Sequence, residues 1–80
     1  MGRSVLLLVN RSKPQVMGAL DEVRALLSKH ASIAAELNTR GDDITDSRGA
    51  DLIMALGGDG TLLAQSRRTA NLNLPLIGVN

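Results

Sequence analysis

Apolar runs and amphipathic segments alternate along the chain. Ser4 to Asn10 is continuously apolar between polar ends, the pattern of a strand buried on both faces of a parallel sheet. A turn over Arg11 to Pro14 follows. Ser12 is placed to cap the next helix there, and Pro14 suits its first turn, where a missing N–H costs nothing. Val16, Leu20, Val23 and Leu27 then recur at helical spacing, with Asp21, Glu22 and Arg24 on the other side, so a helix is predicted to about Lys29. Ser32 to Asn38 alternates less clearly and its alanines favour helix, yet its place between a helix and a polar loop predicts a second strand. Thr39 to Gly49, rich in Asp, Arg and Gly with Ile44 its one apolar residue, reads as a loop with room for one helical turn. Asp51 to Leu56 is the third strand. Thr61 starts a helix that turns Leu62, Leu63 and Ala64 toward the sheet and ends near Thr69. Asn71 to Pro75 is a turn, and Leu76 to Val79 is the fourth strand.

This order is the grammar of an α/β fold: an open parallel sheet, Rossmann-like, of about four strands with flanking helices. If the third strand lies beside the first, the turns at Asn10-Arg11-Ser12 and at Gly57 to Gly60 face each other at a switch point, where a nucleotide binds.

Composition narrows the classes. Eighty residues make at most one domain, spanning 1–80, and a domain of that size hides only about 60 to 65% of the surface its unfolded chain exposes. Aromatic residues are absent, so burial rests on Leu, Val, Ile, Ala and Met, which suggests a piece of a larger body. A net charge of +1 carries no nucleic-acid footprint and no polybasic membrane patch. The absence of cysteine removes disulfides and thiolate metal sites and fits a reducing cytoplasm, the expected location. The run Val5 to Val9 is too short for a signal-peptide core or a membrane span.

The chemistry concentrates in Ala55-Leu56-Gly57-Gly58-Asp59-Gly60-Thr61-Leu62-Leu63, at a strand-to-helix corner. Glycine there lets a bulky anion reach main-chain N–H groups. A carboxylate in such a cradle repels phosphate, so Asp59 makes functional sense if it holds a metal ion or accepts a proton from a hydroxyl attacking a phosphoryl group. A P-loop is excluded because no lysine follows the glycines. A dinucleotide G-x-G-x-x-G beginning at Gly58 and Gly60 puts Leu63 at its third glycine position. By itself, Gly-Gly-Asp-Gly also fits a tight turn.

Gly57-Gly58-Asp59-Gly60-Thr61, preceded by Asp51 to Leu56, resembles the signature of the superfamily of NAD kinases, diacylglycerol and sphingosine kinases and 6-phosphofructokinases. The continuation Leu62-Leu63 and the later Pro75-Leu76-Ile77-Gly78-Val79-Asn80 resemble NAD kinase within it. Lipid kinases typically follow the motif with an Asn-Glu pair and later carry P-x-G-T-x-N-D, and neither is present. The resemblance covers about a quarter to a third of a complete member. It implies the incomplete N-terminal α/β domain of an NAD kinase fold, the C-terminal β domain being absent. It also implies transfer of the terminal phosphoryl group of ATP or polyphosphate to the 2′-hydroxyl of the adenosine ribose of NAD, making NADP. Carried over, the catalytic proton acceptor is Asp59. Gly60 lets the NAD ribose and pyrophosphate approach, and Gly57, Gly58 and Thr61 line the donor-phosphate side at the start of a helix. An unperturbed aspartate is a weak base, but the nucleophile's proton moves late in phosphoryl transfer, so positioning outweighs basicity. Magnesium or manganese is implied as cofactor, with no metal ligand assigned to a residue. Ala64 stands where many members carry an arginine.

Elsewhere, His30, Arg67 and Arg68 are expected to face negative helix ends, and Asp42, Asp43 and Asp46 to form a solvated turn. Arg11 and Lys13 flank the crevice and are weighed between a solvated loop and phosphate contact. A lipid kinase of the same superfamily and a non-catalytic nucleotide-binding or assembly module stand as alternatives. The 80 residues are expected to be inactive alone. Self-association through an open fourth strand and a homo-oligomer at full length are further expectations.

Overall fold

A computed structural model describes residues 3–39, 44, 46 and 48–79, without the side chain of Asp59. Four strands, β1 (Arg3–Val9), β2 (Ala31–Asn38), β3 (Leu52–Leu56) and β4 (Leu76–Val79), form one sheet in the order β2-β1-β3-β4. Every pairing is parallel. Helix α1 (Pro14–His30) follows β1, and α2 (Asp59–Arg68) follows β3 with a short 3-10 turn, Ala70–Leu72, behind it. The predicted α/β architecture is the observed one, with the second strand in place despite its alanines.

The apolar run of β1 sits at the centre and is buried throughout from Val5 to Val9. Alternation divides it between two cores. Leu7 and Val9 pack with Leu20 and Leu56 under the α1 stripe of Val16, Val23 and Leu27. Leu6 and Leu8 pack with Leu37, Ile53 and Ala55 on the opposite face, which Leu72, Leu74 and Ile44 help to cover. Helix α2 lies on that second face, where Leu62 fits over Gly78, the partner of Ala55 in the register of β3 with β4. The two helices therefore leave β1 and β3 toward opposite faces of the sheet, and a crevice opens between their first turns.

Three local expectations need correction. Ser12 does not cap α1: Lys13 is the N-cap residue and no side chain caps the helix, because the Ser12 hydroxyl is spent on Asn10 Oδ1 at 2.5 Å. Helix α2 begins at Asp59, not Thr61, with Gly58 as N-cap. Its inward face is also different. Leu63 is 58% exposed, while Gln65 and Thr69 are buried, because positions 62, 65 and 69 share one side of a helix and 62, 63 and 64 do not. Most of the 39–49 loop, with Asp42 and Asp43, lies outside the described residues. Asp46 is exposed and accepts the Arg48 N–H at 2.9 Å, a local turn contact. Among the described residues, no helix is long and apolar enough to cross a membrane.

Candidate functional site

The four strands end level: Asn38, Val9, Leu56 and Val79 stand in one row across the sheet. Main-chain hydrogen bonds carry that row one residue further, from Thr39 N to Val9 O, from Asn10 N to Leu56 O and from Gly57 N to Val79 O, at 2.9, 3.1 and 3.1 Å. The loops after β1 and β3 thus leave the sheet from a rigid edge.

Gly57 is dictated by packing. A Cβ built on it would lie 2.6 to 2.8 Å from the side-chain atoms of Thr61, closer than real Cβ contacts come, so any other residue there forces Thr61 or the turn to shift. Gly58 and Gly60 differ, since a Cβ on either would meet nothing within 4 Å. Their lack of a side chain leaves open space in front of the loop. Helix α2 starts there with its first bond from Leu62 N–H to Gly58 O at 3.1 Å and with no side-chain cap. The N–H groups of Asp59, Gly60 and Thr61 precede that first bond and lie at the positive end of the helix. Asp59 occupies the first helical position; its side chain lies outside the described part of the structure.

Asn10 ties the two loops together, a role that sequence reasoning missed. Its Nδ2 donates to Thr61 Oγ1 at 3.1 Å, and its Oδ1 accepts the Ser12 N–H at 3.2 Å as well as the Ser12 hydroxyl. Its carbonyl accepts the Lys13 N–H at 3.2 Å. An asparagine ending a buried strand was the available signal, because its amide provides both donors and an acceptor at a position where the ladder stops. Thr61 is therefore a packing and hydrogen-bonding partner of Gly57 and Asn10, at the site but not free within it.

The two cations beside the crevice part company. Arg11 turns away to Glu36, its NH2 3.0 Å from Oε2. Arg24 holds the same carboxylate at both oxygens, 2.8 and 2.6 Å. The hydrogen bonds from Arg24 keep the Glu36 carboxyl below its ordinary range, and its partial burial only partly opposes them. Lys13 instead lines an open cleft of about 370 Å³ with Val16, Ala19, Val23, Leu56, Gly57, Gly58 and Val79. Arg68 is not a dipole partner alone: it donates to the Thr39 carbonyl and to Gln65 Oε1, joining α2 to the end of β2. His30 is the exposed last residue of α1, and Arg67 is exposed in the last turn of α2.

Glycines 57, 58 and 60 with Thr61 thus converge at the carboxyl edge between β1 and β3, the place for an anion to meet a helix start. Among the described residues, no three carboxylate, imidazole or thiolate side chains come together to cage a metal ion. Among the described residues, Lys13 is the charged side chain that lines the cleft beside Gly57 and Gly58, and an ammonium there complements phosphate oxygens.

The family model described as the ATP-NAD kinase N-terminal domain matches residues 8–80. The NAD kinase of Natranaerobius thermophilus is 37% identical over 89 aligned positions, covering 98% of this chain and 31% of that protein. That of Acidithiobacillus ferrooxidans is 34% identical, covering 95% of the chain and 30% of the relative. The NAD kinase of Oleidesulfovibrio alaskensis is 50% identical over 48 positions, 59% of this chain and 16% of that protein. The chain spans less than a third of the length of these relatives. With a match from within β1 to the end of β4, the chain belongs to the ATP-NAD kinase family as its N-terminal domain.

Proposed function

We propose that the chain is the nucleotide-binding part of an NAD kinase that moves the terminal phosphoryl group of ATP, or of polyphosphate, onto the 2′-hydroxyl of the adenosine ribose of NAD. The observation that carries this reading is the corner at Gly57 to Thr61. One glycine there closes the turn against Thr61, while two others leave space unfilled by the chain in front of a helix start.

In the reaction the ribose oxygen forms a new bond to the terminal phosphorus as the bridging P–O bond to the donor breaks. The hydroxyl proton passes to the Asp59 carboxylate, and the shortened donor leaves with the electron pair. Asp59 lies at the first position of α2, so its backbone is held by the same turn that presents the N–H groups. The free N–H groups of α2 balance negative charge on the phosphates without any reorganisation at the moment of transfer. Gly60 leaves the ribose a path to the backbone. A divalent ion, magnesium or manganese, enters on the donor phosphates as part of the substrate. The remainder of the NAD pocket belongs to parts of an NAD kinase beyond these residues, which is why the 80-residue chain by itself is proposed to be inactive. The cytoplasm is the proposed location.

The test is to incubate the full-length protein with ATP and magnesium and with either NAD or diacylglycerol. Formation of NADP is the expected result. Phosphorylation of diacylglycerol with none of NAD would contradict the reading.

A further inference from the structure

We infer that Lys13 is the side chain that receives the phosphate chain of the donor, an inference that rests on the phosphotransfer reading above. The cleft beside Gly57 and Gly58 has apolar walls from Val16, Ala19, Val23, Leu56 and Val79, and Lys13 lines it as its one charged side chain among the described residues, with Gln15 two residues on. That combination suits a ligand with a flat apolar part and a linear polyanionic part, because an apolar wall gives no counter-charge to the anion.

Neighbouring charges single out Lys13. Arg11 is the other cation on the loop, and it is engaged by Glu36, which Arg24 already binds at both oxygens. Lys13 pairs with no carboxylate among the described residues, whose ion pairs join Arg11 and Arg24 to Glu36 and Arg24 to Asp21. Its backbone is nonetheless fixed. The Lys13 N–H donates to Asn10 O, and its carbonyl accepts from Val16 N and Met17 N at 3.1 and 3.2 Å. Pro14 follows at the first helical position. Asn10 in turn is bonded to Thr61. A flexible four-carbon cation is thereby mounted at a set distance from the glycine corner, free to follow a phosphate chain as a point charge.

The experiment uses the full-length protein as wild type, Lys13→Gln and Lys13→Arg. Inorganic tripolyphosphate is titrated calorimetrically, and NADP formation is measured against ATP at saturating NAD and against NAD at saturating ATP. Lys13→Gln is expected to weaken tripolyphosphate binding and raise the KM for ATP about tenfold, the worth of one charge-assisted hydrogen bond. The KM for NAD stays at its wild-type value, and Lys13→Arg regains most of the loss. Unchanged tripolyphosphate affinity in a Lys13→Gln protein with a native circular-dichroism spectrum overturns the inference, as does an effect confined to the KM for NAD. A wild type that makes no NADP defeats the proposed function separately, and the tripolyphosphate titration then still decides the role of Lys13.

Discussion

Gly57 and Gly60 belong to one short motif, and they answer to different constraints. An alanine at 57 would drive its Cβ into Thr61, so Gly57→Ala is expected to lose about 1–3 kcal/mol of stability by overpacking. An alanine at 60 meets open space inside the first turn of α2, so Gly60→Ala is expected to gain about 0.5–1 kcal/mol as a helix residue. In the full-length protein it should lose activity at the same time, because the new methyl group occupies the path of the ribose. Denaturant unfolding and initial rates measured on the two variants separate these outcomes. A Gly60→Ala protein with wild-type KM and kcat would remove Gly60 from the site. The motif was legible in the sequence because glycine and aspartate cluster at a strand end. The reason for Gly57 was not, since it depends on a threonine four residues on, rotated back over the turn by the helix.

At the scale of elements, β2 shows why its strand was hard to read. Val5 pairs with Ile33 but Leu6 pairs with Ala35, so the register steps by one residue at Ala34. The step moves Glu36 onto the α1 face and Leu37 into the opposite core. Simple alternation fails across it, which blurs the pattern in sequence. The consequence is an ion pair joining α1 to β2, with the Glu36 side chain only 17% exposed. Its folded carboxyl lies below the ordinary value of 4.5. The pair therefore contributes fully above that ordinary value and its contribution is lost as pH falls through the lower folded value. Stability measured from pH 7 downward should fall across this acid window in the wild type, and Glu36→Gln should flatten that part of the profile. An identical slope in the variant would show that other carboxylates carry it. Helix α2 was misread for another reason. Its two leucines invite burial, but only Leu62 has a slot, opened by Gly78, while Gln65 and Thr69 satisfy their polar groups along the helix.

Across the whole molecule, the buried run of β1 inside a parallel sheet followed from the alternation of strands and helices, because a strand apolar on both faces has to lie inside the sheet, whereas the order β2-β1-β3-β4 came from the pairing itself. The crevice between β1 and β3 was legible only on the condition that the two strands are neighbours, which their parallel pairing meets. What stayed hidden were the links that depend on side chains distant in sequence, Asn10 with Thr61 and Arg68 with the end of β2. The sheet also has β4 at its edge, and Ile77 on it is 46% exposed. An apolar edge strand invites pairing, so the 80-residue chain is expected to self-associate. Sedimentation velocity would show species above the monomer mass, and a clean monomer would contradict this.

The proposed phosphoryl transfer at the glycine corner after β3 depends on Asp59 as proton acceptor. The most direct measurement is NADP formation by the full-length protein as wild type and as Asp59→Asn, with the unfolding midpoint of each recorded. The Asp59→Asn rate is expected to be lower by about 10²- to 10⁴-fold at an unchanged midpoint. Wild-type turnover by Asp59→Asn would contradict that role of Asp59.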